Sequence, residues 1–537
     1  MEVISSIRSM TGHIKRPLNS SQTTENTFST GLGGSSAINF LNWSKPPAEE
    51  INDWERLGNP GWNWERYRRY LHKLEGYQPL SERSTASHRQ NFDDISVGRD
   101  GPIALCHSPT VTEPELKVIE TWLKLGIPRA PAPLNGNPRG VTLGMNTIDA
   151  TTFTRCYATT AFFLKHSDRP NLSVLTSASV NQIVTRPGND LTATGVEFIH
   201  HGKIYSVHAT KEVILSAGAL KSPQILELSG IGRRDVLEAA GIPVRLELPG
   251  VGENLQEHQH VTITYELPEG AKHLTLDDHH HPAAREEHLK LLKSREGAFT
   301  LAVTGLAFTR LQIISDRAED IIRAAEDKLL KKWSTYFYGL RSQHEIQLQR
   351  LRDDAAPCEL IVFPGFLSLP NPPQAGKKYC TIVAAVNHNF SRGSVHVTSP
   401  DPTVDPSIDP HYYEEDIDLQ TFIEVLKFAR KTAASAPICE LLASPLKEVN
   451  PGPGVVTDTE IGDFIKNFGQ TTYHTIGTLS MLPRDKGGFV DTKLKVYGTS
   501  NIRVVDISIA PLHIAAHTQS TAYAIAEQAA DIIRGNL

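Results

Sequence analysis

Cysteine is scarce in these 537 residues. The five present (Cys106, Cys156, Cys358, Cys380 and Cys439) are scattered, odd in number and never spaced Cys-x-x-Cys. Neither a disulfide framework nor a zinc ribbon is supported. Long apolar runs are also missing. No stretch reaches the roughly 18 residues that a spanning helix needs, so no membrane segment is expected. The opening residues, Met1 to Met10, lack the long apolar core of a secretory signal. Positive charge is not in excess: 54 Lys and Arg stand against 60 Asp and Glu, a net charge of −6. Nucleic acid is therefore not an expected partner. There is no internal repeat. Nowhere does Gly-x-Gly-x-x-Gly occur, the turn that seats a dinucleotide pyrophosphate on a helix N-terminus.

What is present is ordinary globular composition, 39% hydrophobic and 21% charged, in a chain long enough for more than one core. Residues 12 to 30 are polar and read as loop or disorder. Gly31 to Asn39 is a small-residue turn that lets backbone approach something closely. Residues 53 to 62 read as loop, and Trp64 to Tyr77 as an amphipathic helix. Residues 79 to 150 are mixed, with little periodicity. From 172 the pattern is β-rich, with short strands at 172–176 and 180–184. A hairpin is predicted from 195–200 and 203–208 around His201-Gly202. Residues 211–218 read as a buried strand, followed by a helix from Ser222 with Pro in its first turn. Helices are predicted at 283–293 and 316–333, the second with Asp316 as N-cap and Glu319 three residues on. Strands follow at 379–386 and 393–398, a helix at 422–433, a strand at 501–506 and a closing helix at 520–533. The mixture predicts an α/β nucleotide-binding part interleaved with a β-sheet part.

Two histidines stand out near the end. His474 lies in Tyr473-His474-Thr-Ile-Gly477-Thr478, and His517 in His513-Ile-Ala-Ala-His517-Thr518-Gln519-Ser520. Histidine is the side chain best suited to exchanging a proton near neutral pH. Two converging on one pocket would suit removal of a hydroxyl proton. The helix near Ser520 would offer free N–H groups and a positive dipole end beside them. His513 reads as structural. His279-His280-His281 reads as a solvated run rather than a metal site, and no metal is expected. Trp54 and Trp62 read as packing residues.

Four blocks together resemble the glucose-methanol-choline (GMC) family of flavin oxidoreductases. They are Leu32 to Asn39 with Trp54 and Gly58-Asn-Pro-Gly-Trp62, then Ser216 to Gly232, then Leu248 to His258, and last Tyr473 to Glu527. The resemblance implies a mixed α/β fold. A discontinuous, Rossmann-like FAD-binding domain (1–45, 171–265 and 457–537) adjoins a substrate domain with an antiparallel sheet (266–456), with 46–170 as a connecting or lid region. It implies oxidation of an alcohol, a base taking the hydroxyl proton as hydride leaves carbon for the flavin. His474 matches the family's base and His517 its partner. The His/His pair resembles glucose and aryl-alcohol oxidases. Gly33, Gly34, Ser35, Asn39, Val180, Asp506, Thr518 and Gln519 are the expected FAD contacts. Covalent members carry His where Ile38 stands, so non-covalent FAD is expected. Glu257 departs from the family's usual Asp.

The resemblance begins after the family's first βαβ unit, since its Gly-x-Gly-x-x-Gly is absent. The FAD domain is therefore expected to be N-terminally incomplete. Two alternatives to the oxidoreductase stand beside it: a truncated remnant unable to hold FAD, and a lyase on the same fold. Nothing in the sequence names the alcohol, the electron acceptor, the oligomeric state or the cellular compartment.

Overall fold

The computed structural model describes residues 11–18, 22–29, 31–79, 96–188, 190–280, 282–353 and 355–537. Its largest element is a seven-stranded antiparallel sheet. The strand order is Glu448–Asn450, Gln259–Glu266, Tyr379–Val386, Cys358–Phe363, Gly305–Thr309 and Gly140–Leu143. Gln470–Thr471 pairs with the start of Gln259–Glu266. Tyr379–Val386 is buried at every position, which explains its unbroken run of β-branched and small residues. Helix Asp416–Ala433 lies on this sheet and buries Phe422, Leu426, Ala429 and Ala433 at helical spacing against Ile263, Leu360 and Ala384.

A second core gathers distant pieces of chain. Val213–Leu215 pairs in parallel with Ile502–Val504. Against them pack helices Ala48–Arg56, Trp64–Leu74, Gly218–Leu228 and the terminal helix Gln519–Arg534. Strands Ala178–Arg186, Thr192–His200 and Lys203–His208 form an antiparallel sheet alongside. Ile204, Val207 and Ile214 are exposed here, so this side keeps apolar surface in solvent. Among the described residues no helix is long and apolar enough to cross a membrane.

The mixed α/β class, the hairpin around His201-Gly202 and the strand Tyr379–Val386 are as expected. Several local expectations fail. Residues 172–176 form no strand, because Leu172, Val174 and Leu175 are exposed and nothing pairs with them. Polar 12–30 contains the strands Thr11–Leu18 and Gln22–Ser29, paired antiparallel; β-branched threonines favour that state over loop. The loop expected over 53–62 begins as helix Ala48–Arg56. The helix expected from Ser222 starts at Gly218, so Pro223 falls inside it. Proline there frees the carbonyl four residues back, and Thr478 Oγ1 donates to it, Ala219 O, at 2.6 Å. Asp316 does not cap the next helix: Ala318–Lys332 starts after Arg317, with no side-chain cap. Helix Glu113–Lys124 was not foreseen, although Thr112 and Glu115 form a complete capping box. Within 79–150, residues 80–95 lie outside the described set. Trp54 and Trp62 are buried, their indole N–H groups donating to Leu512 O and Thr492 O.

Candidate active site

Two loops zipped together carry the site. Gln256 and Ile476 form an antiparallel bridge. Thr472 donates from its N–H and its hydroxyl to the His258 carbonyl, at 3.1 and 3.2 Å. Tyr473 adopts a left-handed φ of 61° just before His474, a conformation that persists only where the surroundings impose it. Gly477 is required: its φ is +90°, and a Cβ there would meet Asn254 O at 2.3 Å. Glu257 accepts from His474 N at 2.8 Å and from Thr475 Oγ1. The longer carboxylate at 257 thus fastens the backbone of the histidine loop.

Hydrogen bonds to backbone fix one tautomer. Ile514 N donates to His513 Nδ1 at 3.0 Å. That nitrogen therefore carries a lone pair, and His513 Nε2–H donates to the His474 carbonyl at 3.0 Å. His258 stacks on His513 with ring centroids 3.6 Å apart. Its Nδ1 lies 2.9 Å from His474 Nδ1. Nε2 is then the nitrogen that His474 has left for a substrate. Across the site, Ser44 Oγ accepts from His517 N, and His517 Nε2 donates to Glu359 Oε1 at 2.8 Å. The rings of His474 and His517 stand 5.2 Å apart, so the structure brings together the two histidines singled out in the sequence.

Burial, and then the neighbouring His517, His513 and His260, push His474 well below the ordinary histidine value. Burial likewise depresses His258, and takes His513 and His344 down to about 3 and His260 to about 4. These rings are neutral at pH 7. An unfolded chain takes up their protons near pH 6.5 and the folded chain does not, so falling pH favours unfolding. Burial raises Glu115 to about 7 and Asp418 to about 6. Those two work in the opposite sense, since the folded state holds their protons, but they are outnumbered. The expected result is a melting temperature that drops steadily from pH 6.5 to pH 4. Scanning fluorimetry checks it, and a flat profile contradicts neutral burial of these rings.

Other polar groups lack partners, some of them close to His517 in sequence. Thr518 is the N-cap of the terminal helix but makes no side-chain cap bond, leaving first-turn N–H groups and the positive dipole end open. The Gln519 amide, Ser508 Oγ and Thr159 Oγ1 are buried without a well-aligned hydrogen bond among the described residues, which is uncommon for buried polar atoms. Gly33, at φ +98°, faces Thr159 and Tyr157 so closely that a Cβ would sit 2.8 Å from both, while a Cβ on Gly34 would meet only open space. Ser36 Oγ donates to Gly33 O and accepts from Ala158 N, and Ser35 is exposed. Three other sequence candidates have their side chains engaged elsewhere. Asn39 Oδ1 accepts from Leu41 N and Arg155. Asp506 accepts from Gly218 N, Ser222 Oγ and Ser508 N. Val180 packs on the second core.

Residues 17–260 match the N-terminal profile, and residues 389–526 the C-terminal profile, of the family described as GMC oxidoreductase. The chain belongs to the GMC oxidoreductase family. It is 32% identical over 517 residues to the GMC oxidoreductase family protein Mala s 12 of Malassezia sympodialis, covering 94% of this chain and 79% of that one. Its fold is similar to an FAD-dependent oxidoreductase from Chaetomium thermophilum (TM-score 0.88, 28% identity, 97% of this chain and 89% of that one). It is also similar to a fungal aryl-alcohol oxidase (TM-score 0.85, 25% identity, 98% and 89%).

Membership in this family implies FAD, and the residues beside the histidines fit it. Thr518 and Gln519 follow His517 directly, and the uncapped helix end there fits the electron-rich edge of a flavin ring. His258, Glu257, Glu359 and Ser44 also line the histidine cluster, without a motif that marks them there. Glu359 carried a signal: an acid inside the apolar strand Cys358–Phe363, buried to 1% exposure and thus in need of a partner.

Proposed function

We propose that this chain oxidises an alcohol to a carbonyl with non-covalently bound FAD, His474 taking the hydroxyl proton at Nε2. The observation that carries the reading is the facing of a neutral His474 and a carboxylate-held His517 at an uncapped helix N-terminus. Gly33, Gly34, Ser35, Thr518 and Gln519 hold the cofactor, with Asn39, Val180 and Asp506 shaping the backbone around it. Bound FAD supplies the acceptor for the carbon-bound hydride. His474 lowers the barrier by removing positive charge from the oxygen as the carbonyl forms. His517, oriented by Glu359, bounds the same pocket and positions the alcohol against His474. We also propose the division into an FAD-binding part (1–45, 171–265 and 457–537), a connecting region (46–170) and a substrate part (266–456).

The similarity to an aryl-alcohol oxidase supports aromatic primary alcohols as the first substrates to try. The test is turnover of a benzylic alcohol panel with added FAD and a dye acceptor, read as aldehyde formation. Aldehyde from at least one alcohol is expected. A protein that retains FAD and forms none contradicts the proposal and favours a lyase. A second reading, a GMC fold that does not hold FAD, is favoured by the absence of Gly-x-Gly-x-x-Gly from these 537 residues. In that case no FAD remains with the protein after gel filtration.

A further inference from the structure

We propose that His258 is a second station for the substrate proton, receiving it from His474 across the Nδ1–Nδ1 hydrogen bond. This rests on the reading of His474 as base. The contact measures 2.9 Å between two ring nitrogens, so one proton lies between them. If it belongs to His258, then neutral His474 bears its own proton on Nε2 and cannot act as a base there. If it belongs to His474 Nδ1, the Nε2 lone pair is free and His258 Nδ1 is the acceptor. Base action at Nε2 therefore requires His474 Nδ1–H to point at His258 Nδ1.

The proton movement then balances. The substrate O–H bond breaks and His474 Nε2–H forms, giving an imidazolium. His474 Nδ1–H breaks and His258 Nδ1–H forms. His474 is left neutral, protonated on Nε2, and the positive charge rests on His258. No electrons move in this relay.

Three features make His258 suited to the role. Its ring is neutral like that of its donor, burial being the first cause that holds both below the ordinary histidine value. Its face is stacked on His513, whose neutral tautomer is held by a backbone N–H, so an aromatic face rather than a second cation meets the new charge. Its Nε2 is buried with no hydrogen-bond partner among the described residues, so no further acceptor drains the proton onward. The other rings that bear on it are His474, His513, His388 and His517. Glu257 braces the His474 loop, and Glu50 lies 2.9 Å from His388 and bears on His513, as does Arg392.

The experiment uses the FAD-loaded protein with an alcohol it turns over and reads the anaerobic flavin-reduction rate. In His258→Asn the amide oxygen still accepts from His474 Nδ1–H, so orientation is kept, but the amide cannot take the proton. The expected result is a rate loss of about tenfold or more with KM unchanged. Mixed H2O and D2O give a bowed proton inventory in the native protein, for two protons in flight, and a straight one in the variant. A native-like rate in His258→Asn overturns the relay, as does a straight inventory in the native protein, which needs no variant to fold. The two readings fail separately: an unimpaired His474→Ala overturns the base itself, whereas an impaired His474→Ala beside a native-like His258→Asn overturns only the relay.

Discussion

If His474 is the proposed base, replacing it with alanine is expected to lower kcat/KM for the alcohol by about 10²–10⁴-fold while leaving the fold in place. The loop does not depend on the imidazole. Its hold on Glu257 is through the His474 backbone N–H, and His513 donates to the His474 carbonyl. The zip between Gln256 and Ile476 and the left-handed turn at Gly477 are backbone features as well. What the substitution removes is the one ring nitrogen left for a substrate hydroxyl. Steady-state kinetics with the visible flavin spectrum as a control makes the check. Loss of turnover with retained flavin is expected, and a loss under threefold contradicts His474 as the base.

Arg350→Ala is expected to have the largest effect on stability, costing about 3–5 kcal/mol, the range for removing one partner of a buried ion pair. Arg350 is buried where helix Tyr338–Arg352 meets the second core. Its Nε donates to Asp53 at 2.7 Å, one terminal nitrogen donates to His513 O at 2.9 Å and the other to Glu50 O at 3.2 Å. One side chain thus ties the helix carrying Glu50 and Asp53 to the segment carrying His513. Without it, Asp53 keeps only Arg56 as its cation, and two buried carbonyls lose donors. Equilibrium urea unfolding gives the value. A change below 1 kcal/mol contradicts the claim that this junction braces the histidine cluster from beneath.

The sequence carried much of the fold, and it singled out two histidines that the structure brings together. Tyr379–Val386 and the hairpin at 195–208 were legible because their apolar patterns and turn residues are local signals. His474 and His517 were legible through the motifs around them. The partners that hold them were not. Glu359 reaches His517 from a strand 158 positions away in sequence, and His258 meets His474 across 216. No local pattern encodes such pairings, since they arise only when the large sheet and the second core close on each other. The failed strand at 172–176 has the reverse cause: apolar residues were present but no partner edge was. Asn39 and Asp506 show a further limit, since a polar residue in a motif block can spend its side chain on the loop itself.

The central claim is that this chain binds flavin and passes it hydride from an alcohol at the His474–His517 face. The most direct test is the visible spectrum of the purified, FAD-supplemented protein under anaerobic conditions, before and after adding a benzylic alcohol. Flavin bands are expected to stay with the protein and bleach on addition, and to persist unbleached in His474→Ala. A protein that remains colourless after FAD is added and the excess removed would contradict it, as would bound flavin that no alcohol bleaches.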